Sequence, residues 1–293
     1  MSLFGGIECG GTSFVCAIGS GPTDIVSETR FATTTPTETL ATAVDFFRSK
    51  GSSHTISAVG IASFGPVDLD RSSATYGYIT TTPKPGWDGV DVAGYVSREL
   101  ALPVGWDTDV NATALAEHRW GHAVGLDTFV YITVGTGIGG GALLEGRPMH
   151  GLVHPEMGHM RVPRDPNDGY PGCCPYHGDC LEGLACGPAI RQRWDTLPEE
   201  LPDDHPAWEL EARYLAAGLA NIVFTLSPRR IVIGGGVMRR SVLLPLVRQG
   251  LLAQLANYVQ ASALVDDIES YVVQPALGDR AGVLGAIALA ERL

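Results

Sequence analysis

Two apolar runs folded back around a glycine turn occur twice in this chain, and that recurrence constrains the fold more than any other feature. Leu3 to Glu8 leads into Cys9-Gly10-Gly11-Thr12 and then Phe14 to Ile18. Phe129 to Val134 leads into Gly135-Thr136-Gly137-Ile138-Gly139-Gly140-Gly141 and then Ala142-Leu143-Leu144. Short β-branched and apolar runs on either side of glycines read as hairpins. Behind the first hairpin the pattern predicts a strand over about Ile25 to Ala32 and a helix over Thr37 to Arg48. That helix is spaced at Leu40, Val44 and Phe47, with Pro36 at its start. A buried strand follows from Ile56 to Ala62 and ends in Ser63-Phe64-Gly65-Pro66. Behind the second hairpin come a long helix over about Trp208 to Leu226, a strand from Arg230 to Ile233, and Gly234-Gly235-Gly236. Two halves with the same plan predict an α/β protein made by internal duplication.

No Pro-rich or Ser/Gly-rich linker separates the halves. The boundary is expected near Glu117 to Gly125, after a helix opened by Asn111. This gives a smaller α/β domain over residues 1–120 and a larger one over 121–280. The Ala-rich final helix, within 281–293, is expected to pack back onto the first domain.

The glycine turns also suggest chemistry. Phosphates bind where backbone N–H groups converge with no side chain in the way, which glycine permits. Gly10-Gly11-Thr12 and Gly135-Thr136-Gly137 each offer amides plus a hydroxyl. Gly234-Gly235-Gly236, directly after a strand, is expected to open a helix N-terminus suited to a nucleotide. The only lysines are Lys50 and Lys84, and neither follows a G-x-x-x-x-G pattern, so a P-loop lysine is excluded. Phosphate binding must rest on backbone amides. The net charge of −12 argues against nucleic-acid binding, which needs clustered cations. No apolar run approaches the roughly 18 residues of a membrane span, and MSLFGGIECGG does not read as a secretion signal. A cytoplasmic protein is expected.

Asp107-Thr108-Asp109-Val110-Asn111 sits between the strand-like Val104-Gly105-Trp106 and a helical stretch. A carboxylate at the C-terminal end of a strand suits a catalytic base, and it equally suits a helix cap. The most specific constellation is His159 followed by Cys174-x2-His177-x2-Cys180. Two imidazoles and two thiolates match closed tetrahedral zinc coordination, which would fasten the Pro-, Asp- and Gly-rich segment from Pro163 to Gly172. Cys174 has the regular spacing, with Cys173 as its alternative, and Cys186 is expected on the next helix as a small apolar residue. Glu156 and His159, three apart, are placed to share one side, with Glu182 near the same pocket; carboxylates of this kind grip sugar hydroxyls.

With these motifs in view, the chain resembles the ROK family, and especially its fructokinase branch. The likeness runs through GIECGGTSFVCAIG, GIASFGPVDLD, DTDVNATALAE, YITVGTGIGGG, HPEMGH, CPYHGDCLEGLACGPAI, IVIGGGVM and GDRAGVLGAIALA. It implies an actin-like ATPase fold, a duplicated ribonuclease-H-like architecture of two domains with ATP in the cleft between them. It implies an ATP-dependent hexose kinase, most closely a fructokinase making fructose 6-phosphate, that works as a homodimer. By the same resemblance Asp109 is the catalytic base. Gly65, Pro66, Asp109, Glu156, His159 and Glu182 are substrate-binding positions. Gly10, Gly11, Thr12, Thr136 and Gly137 hold phosphates, and Gly234, Gly235 and Gly236 hold the adenosine. His159, Cys174, His177 and Cys180 are the zinc ligands, and Glu8 stands where a carboxylate meets Mg(II) through water.

Two departures from the family pattern stand out. Ser13 follows the first GGT where relatives carry Lys, and Glu8 replaces the commoner Asp. Glucose, mannose or N-acetylmannosamine are alternative acceptors, because specificity rests on a few hydroxyl contacts. A sugar-sensing transcriptional regulator of the same family is disfavoured, since the first glycine loop begins by residue 10 and leaves no room for a helix-turn-helix.

Overall fold

A computed structural model describes residues 2–51 and 55–293. In chain order it begins with β1 (Leu3–Cys9), β2 (Ser13–Gly19), β3 (Ile25–Ala32), α1 (Pro36–Gly51), β4 (Ile56–Ser63), α2 (Val92–Leu100), β5 (Val104–Thr108) and α3 (Asp109–Trp120). It continues with β6 (Phe129–Val134), β7 (Ile138–Leu144), β8 (Arg147–Pro148), α4 (Leu181–Ala185), α5 (Gly187–Trp194) and α6 (Ala207–Leu226). Then come β9 (Ile231–Gly234), α7 (Leu243–Leu255), the single-turn helices α8 (Ser262–Val265) and α9 (Ile268–Tyr271), β10 (Val272–Val273) and α10 (Ala281–Glu291).

The chain forms two compact units. The first comprises the chain up to Asp127, together with Gly141–Pro155 and Ala276–Leu293; the second comprises Thr128–Gly140 and Glu156–Pro275. The duplication is plain in the topology. One sheet runs β3-β2-β1-β4-β5, and the other, read from its far edge, runs β8-β7-β6-β9-β10. In the first sheet β1 pairs antiparallel with β2 and parallel with β4, and β4 pairs parallel with β5. In the second, β6 pairs parallel with β9, and β9 with β10.

In the first unit α10 lies on the sheet at very close range. Gly6, Gly60 and Gly105 come from β1, β4 and β5, and a Cβ on any of them would run into α10 backbone at Val283, Ala286 or Leu289. Gly285 of α10 meets the Ala112 carbonyl of α3 in the same way. Glycine in the strands and alanine in the helix let the two backbones approach, which buries Val15, Ala17, Val283 and Ile287 together. The opposite face of the sheet packs a larger cluster that includes Ile7, Phe14, Phe47, Ile61 and Trp87. No helix among the described residues is long and apolar enough to cross a membrane.

Candidate active site

In the first unit three adjacent parallel strands deliver three candidate segments from one end. Cys9 of β1 is in register with Ser63 of β4, and Ser63 with Thr108 of β5. Gly10-Gly11-Thr12, Gly65-Pro66 and Asp109 therefore emerge side by side from the C-terminal strand ends, where open α/β sheets place ligands. The Gly65–Pro66 peptide is cis, and Thr80 donates through both its amide and its hydroxyl to the Pro66 carbonyl.

α3 starts two residues before Asn111. Its N-cap is Thr108, whose hydroxyl accepts from the Asn111 amide at 3.2 Å. The cap role thus belongs to Thr108. Asp109 is the first helical residue, and its Oδ1 accepts from the Val110 amide at 2.9 Å. Beneath it Asp107 is buried and takes hydrogen bonds from the Thr108 amide and from Asn111 Nδ2; its Oδ2 meets His150 Nε2 at 2.9 Å. The Asp107 carboxylate raises the His150 pKa above the ordinary histidine value, against the opposing effect of burial. Asn111 Nδ2 also lies 3.4 Å from His154 Nδ1. His150 carried no signal in the sequence: it sits far along the chain in no motif, and only the fold brings it to Asp107.

The first glycine loop is held from behind by its carbonyls. Thr33 donates its hydroxyl to the Gly10 carbonyl at 2.7 Å and its amide to the Thr12 carbonyl at 2.9 Å. The Lys84 ammonium donates to the Gly11 carbonyl. Arg30 donates to the Ser13 hydroxyl at 3.0 Å, so cations flank a loop where the sequence pattern suggested that one was lacking. Glu8, at the end of β1, has a buried Oε2 without a hydrogen-bond partner among the described residues. Burial pushes its carboxyl pKa up, with Arg30 pulling the other way. An orphaned carboxylate oxygen next to a phosphate-type loop fits a hydrated divalent cation.

In the second unit Gly135-Thr136-Gly137 forms the turn between β6 and β7, closed by a 2.8 Å bond from the Gly135 amide to the Gly137 carbonyl. The Gly187 amide, at the start of α5, donates to the Gly135 carbonyl. Thr136 and Gly236 line a cavity of about 720 Å³ together with Gly187, Pro188, Arg191 and Gln192. That volume suits a nucleotide-sized ligand. Gly137, Gly234 and Gly235 do not line it: Gly234 faces Pro275, and Gly235 (φ +96°) backs onto Val134. The third glycine cluster does not open an α-helix. After the left-handed Gly235 the chain makes one 3-10 turn, Val237–Arg239, and α7 begins only at Leu243.

His159, Cys174, His177 and Cys180 converge with their ligand atoms all within 4.8 Å of one another. Metal bonds of about 2.3 Å to sulfur and 2.0 Å to nitrogen, at the tetrahedral angle, place neighbouring ligand atoms about 3.5 Å apart. Here His159 Nδ1 lies 3.5 Å from Cys180 Sγ and 3.7 Å from Cys174 Sγ, and Cys174 Sγ lies 3.6 Å from His177 Nδ1. The four residues can hold a metal ion, and the donor set and these three edge lengths fit one. Burial pushes the Cys180 thiol up to about 11, so its thiolate form calls for a cation. Cys173 is not in this group; its Sγ faces Cys186 Sγ at 3.5 Å. Cys186 is buried at the N-cap of α5, in the break between α4 and α5 rather than within a helix.

The Pro163 to Gly172 segment has a second fastening that the sequence did not disclose. Asp168 accepts from the Tyr214 hydroxyl at 2.6 Å and pairs with Arg193 at 3.2 Å, and that guanidinium stacks on Tyr170.

Glu156 precedes a single 3-10 turn that ends at His159, and in such a turn positions three apart are eclipsed. Burial raises the Glu156 carboxyl pKa, His159 opposes the shift, and the Glu182 charge adds to it. Glu182 Oε2 accepts from the Ile138 amide at 2.9 Å, tying the cysteine-bearing segment to the glycine turn.

Two sheets of identical strand order, each with a glycine turn after its first strand, define an actin-like ATPase fold of the sugar-kinase type. The chain belongs to the ROK family, whose model matches residues 4–293. It is 47% identical over 293 residues to a fructokinase from Zymomonas mobilis, covering 98% of this chain and 96% of that protein. It superposes on a ROK hexokinase from Thermus thermophilus with a TM-score of 0.83 at 26% identity, covering 99% of this chain and 98% of that one. A ROK family glucokinase from Streptomyces griseus, solved with glucose and AMPPNP, gives a TM-score of 0.79 at 26% identity over the full length of both chains.

Proposed function

We propose that the protein is an ATP-dependent fructokinase that transfers the γ-phosphoryl group to the 6-hydroxyl of D-fructose. The observation that carries the choice of sugar is the 47% identity, end to end, with a fructokinase, against 26% with a glucokinase of the same fold.

Phosphoryl transfer needs a donor held in line with an acceptor and a sink for the acceptor's proton. The glycine amides of the first loop and of the Gly135 turn cradle phosphate oxygens, and the Thr136- and Gly236-lined cavity takes the nucleoside. Asp109 accepts the proton of the attacking hydroxyl. Its place on the first turn of α3 sets the carboxylate at the C-terminal end of β5. Glu156, His159 and Glu182, with Gly65 and Pro66, orient the sugar. Mg(II), held through water near Glu8, supplies charge neutralisation on the phosphates when bound.

His159, Cys174, His177 and Cys180 hold zinc as a structural ion. All four positions are protein ligands, so the metal shapes the sugar-binding turn and does not activate water. The protein acts in the cytoplasm as a homodimer, with ATP and a hexose as its partners; the −12 charge is consistent with an absence of nucleic-acid binding. Initial rates over a panel of fructose, glucose, mannose and N-acetylmannosamine test the assignment. Fructose should lead by at least about tenfold in kcat/KM, which one or two hydroxyl contacts suffice to supply. Equal use of glucose would refute it.

A further inference from the structure

Lys84 is one of only two lysines in a chain carrying 32 acidic residues, yet among the described residues it pairs with no carboxylate. Its ammonium donates instead to the carbonyl of Gly11. The arm that brings it there is built for the purpose. Pro83 and Pro85 flank it and restrict the backbone. The Lys84 amide bonds the Thr82 hydroxyl at 3.3 Å, and the Lys84 carbonyl accepts from the Trp87 amide at 3.2 Å. Trp87 is fully buried, packs its ring at a tilt against Phe14 of β2 and anchors its indole N–H on the Thr34 carbonyl at 3.1 Å. A long, costly-to-order lysine side chain is thus carried on a rigid support to a single carbonyl oxygen.

The direction of that contact matters. In a trans peptide the C=O and the N–H point in opposite directions. Holding the Gly11 carbonyl therefore fixes where the Thr12 N–H points, and a cation on the oxygen draws charge along the peptide and strengthens that N–H as a donor. The Gly11 and Thr12 N–H groups have no protein acceptor among the described residues. A Cβ added to Gly11 would meet no protein atom within 4 Å, so the space on the loop's outer side is open.

We propose that Lys84 is a positioning residue for phosphoryl transfer, clamping and polarising the Gly11–Thr12 peptide so that its N–H is presented to a phosphate oxygen. This rests on reading Gly10-Gly11-Thr12 as a phosphate loop. No local pattern marks this role, because the lysine lies far along the chain, outside any glycine motif.

The test is a set of variants assayed as full-length enzyme with MgATP and fructose. Lys84→Met should lower kcat by about 10- to 100-fold, the loss expected for one charge-assisted hydrogen bond. Its KM for fructose and its melting temperature should stay close to wild type. Lys84→Arg should recover most of the rate, whereas Lys84→Gln, which keeps a donor but not the charge, should recover only a small part. Full activity in Lys84→Gln would reduce Lys84 to a structural tie and overturn the proposal. A second control separates this from the loop reading: Gly11→Ala places a methyl in the open space and should abolish turnover without unfolding the protein. If Gly11→Ala is inactive while Lys84→Met is within twofold of wild type, Lys84 has no part and the loop reading stands. If Gly11→Ala is fully active, the loop reading fails and the Lys84 proposal with it.

Discussion

Removing the metal from the His159, Cys174, His177 and Cys180 cluster is the perturbation whose size the structure best defines. The ligands join positions 21 residues apart, His159 and Cys180, across a segment that is poor in core residues. Treating the metal as a cross-link over a loop of that length gives about 3 kcal/mol of closure entropy. The four ligand atoms, left within 4.8 Å of one another without a shared cation, add to the loss. The Asp168, Tyr214 and Arg193 clamp is independent of the metal and keeps the segment attached. Metal loss should therefore loosen the second unit without dissolving it, and at roughly 2–4 °C per kcal/mol the melting temperature should fall by about 6 to 12 °C. Elemental analysis of the purified protein should find one zinc per chain. Calorimetry before chelation, after chelation and after zinc is restored should show the drop and its reversal. Cys180→Ser should reproduce the drop without chelator. Purified protein lacking stoichiometric metal, or an unchanged melting temperature once the metal is demonstrably gone, would refute the reasoning.

Three further outcomes follow from particular residues. Asp109→Asn should lower kcat by about 10²- to 10⁴-fold, the range for a general base, while calorimetric fructose binding stays within threefold; near-normal turnover would remove Asp109 from the role. Gly60→Ala puts a methyl against the Ala286 carbonyl of α10, an obstacle of backbone rather than of flexible side chain. It should cost at least the 1–3 kcal/mol usual for overpacking, seen as a lower midpoint in urea, and a neutral result would mean that the helix can shift. Glu211 of α6 is fully buried with neither oxygen partnered among the described residues, and burial holds its carboxyl well above the ordinary value of 4.5, with Arg193 opposing. Folding thus favours the protonated form, so the stability tied to this group is complete below about pH 4.5 and declines as pH rises toward the folded pKa. The melting-temperature advantage of Glu211→Gln over wild type should grow between about pH 5 and pH 8; a constant difference would show that Glu211 does not titrate in this way.

What could be read from the sequence was local. The hairpins around Gly10-Gly11-Thr12 and Gly135-Thr136-Gly137 follow from apolar runs of strand length interrupted by glycine. α1, β3 and α6 match their expected spans to within three residues, because their apolar spacing reports the face each one buries. The Cys174-x2-His177-x2-Cys180 spacing foretold a metal-type cluster because a short loop can close on one ion only at such intervals. Expectations failed where local pattern competed with tertiary geometry. Gly234-Gly235-Gly236 looked like a helix start, but Gly235 takes a left-handed turn against Val134 and delays α7 to Leu243. Cys186 was expected on the helix after the cluster as a small apolar residue; it is buried, but it lies at the break between α4 and α5, with its thiol facing Cys173.

The class of chemistry is legible in short stretches of the chain. Backbone amides at glycine turns and a carboxylate at a strand end are each written within a few consecutive residues, and the soft-ligand cluster within the one stretch from His159 to Cys180. Which distant groups serve them depends on how the chain folds. Thr33 and Lys84 reach the first loop, His150 reaches Asp107, and Tyr214 reaches Asp168, each from more than twenty residues away. Such contacts leave no periodicity or spacing to read, since a hydrogen bond depends on where two side chains end in space and not on their separation along the chain.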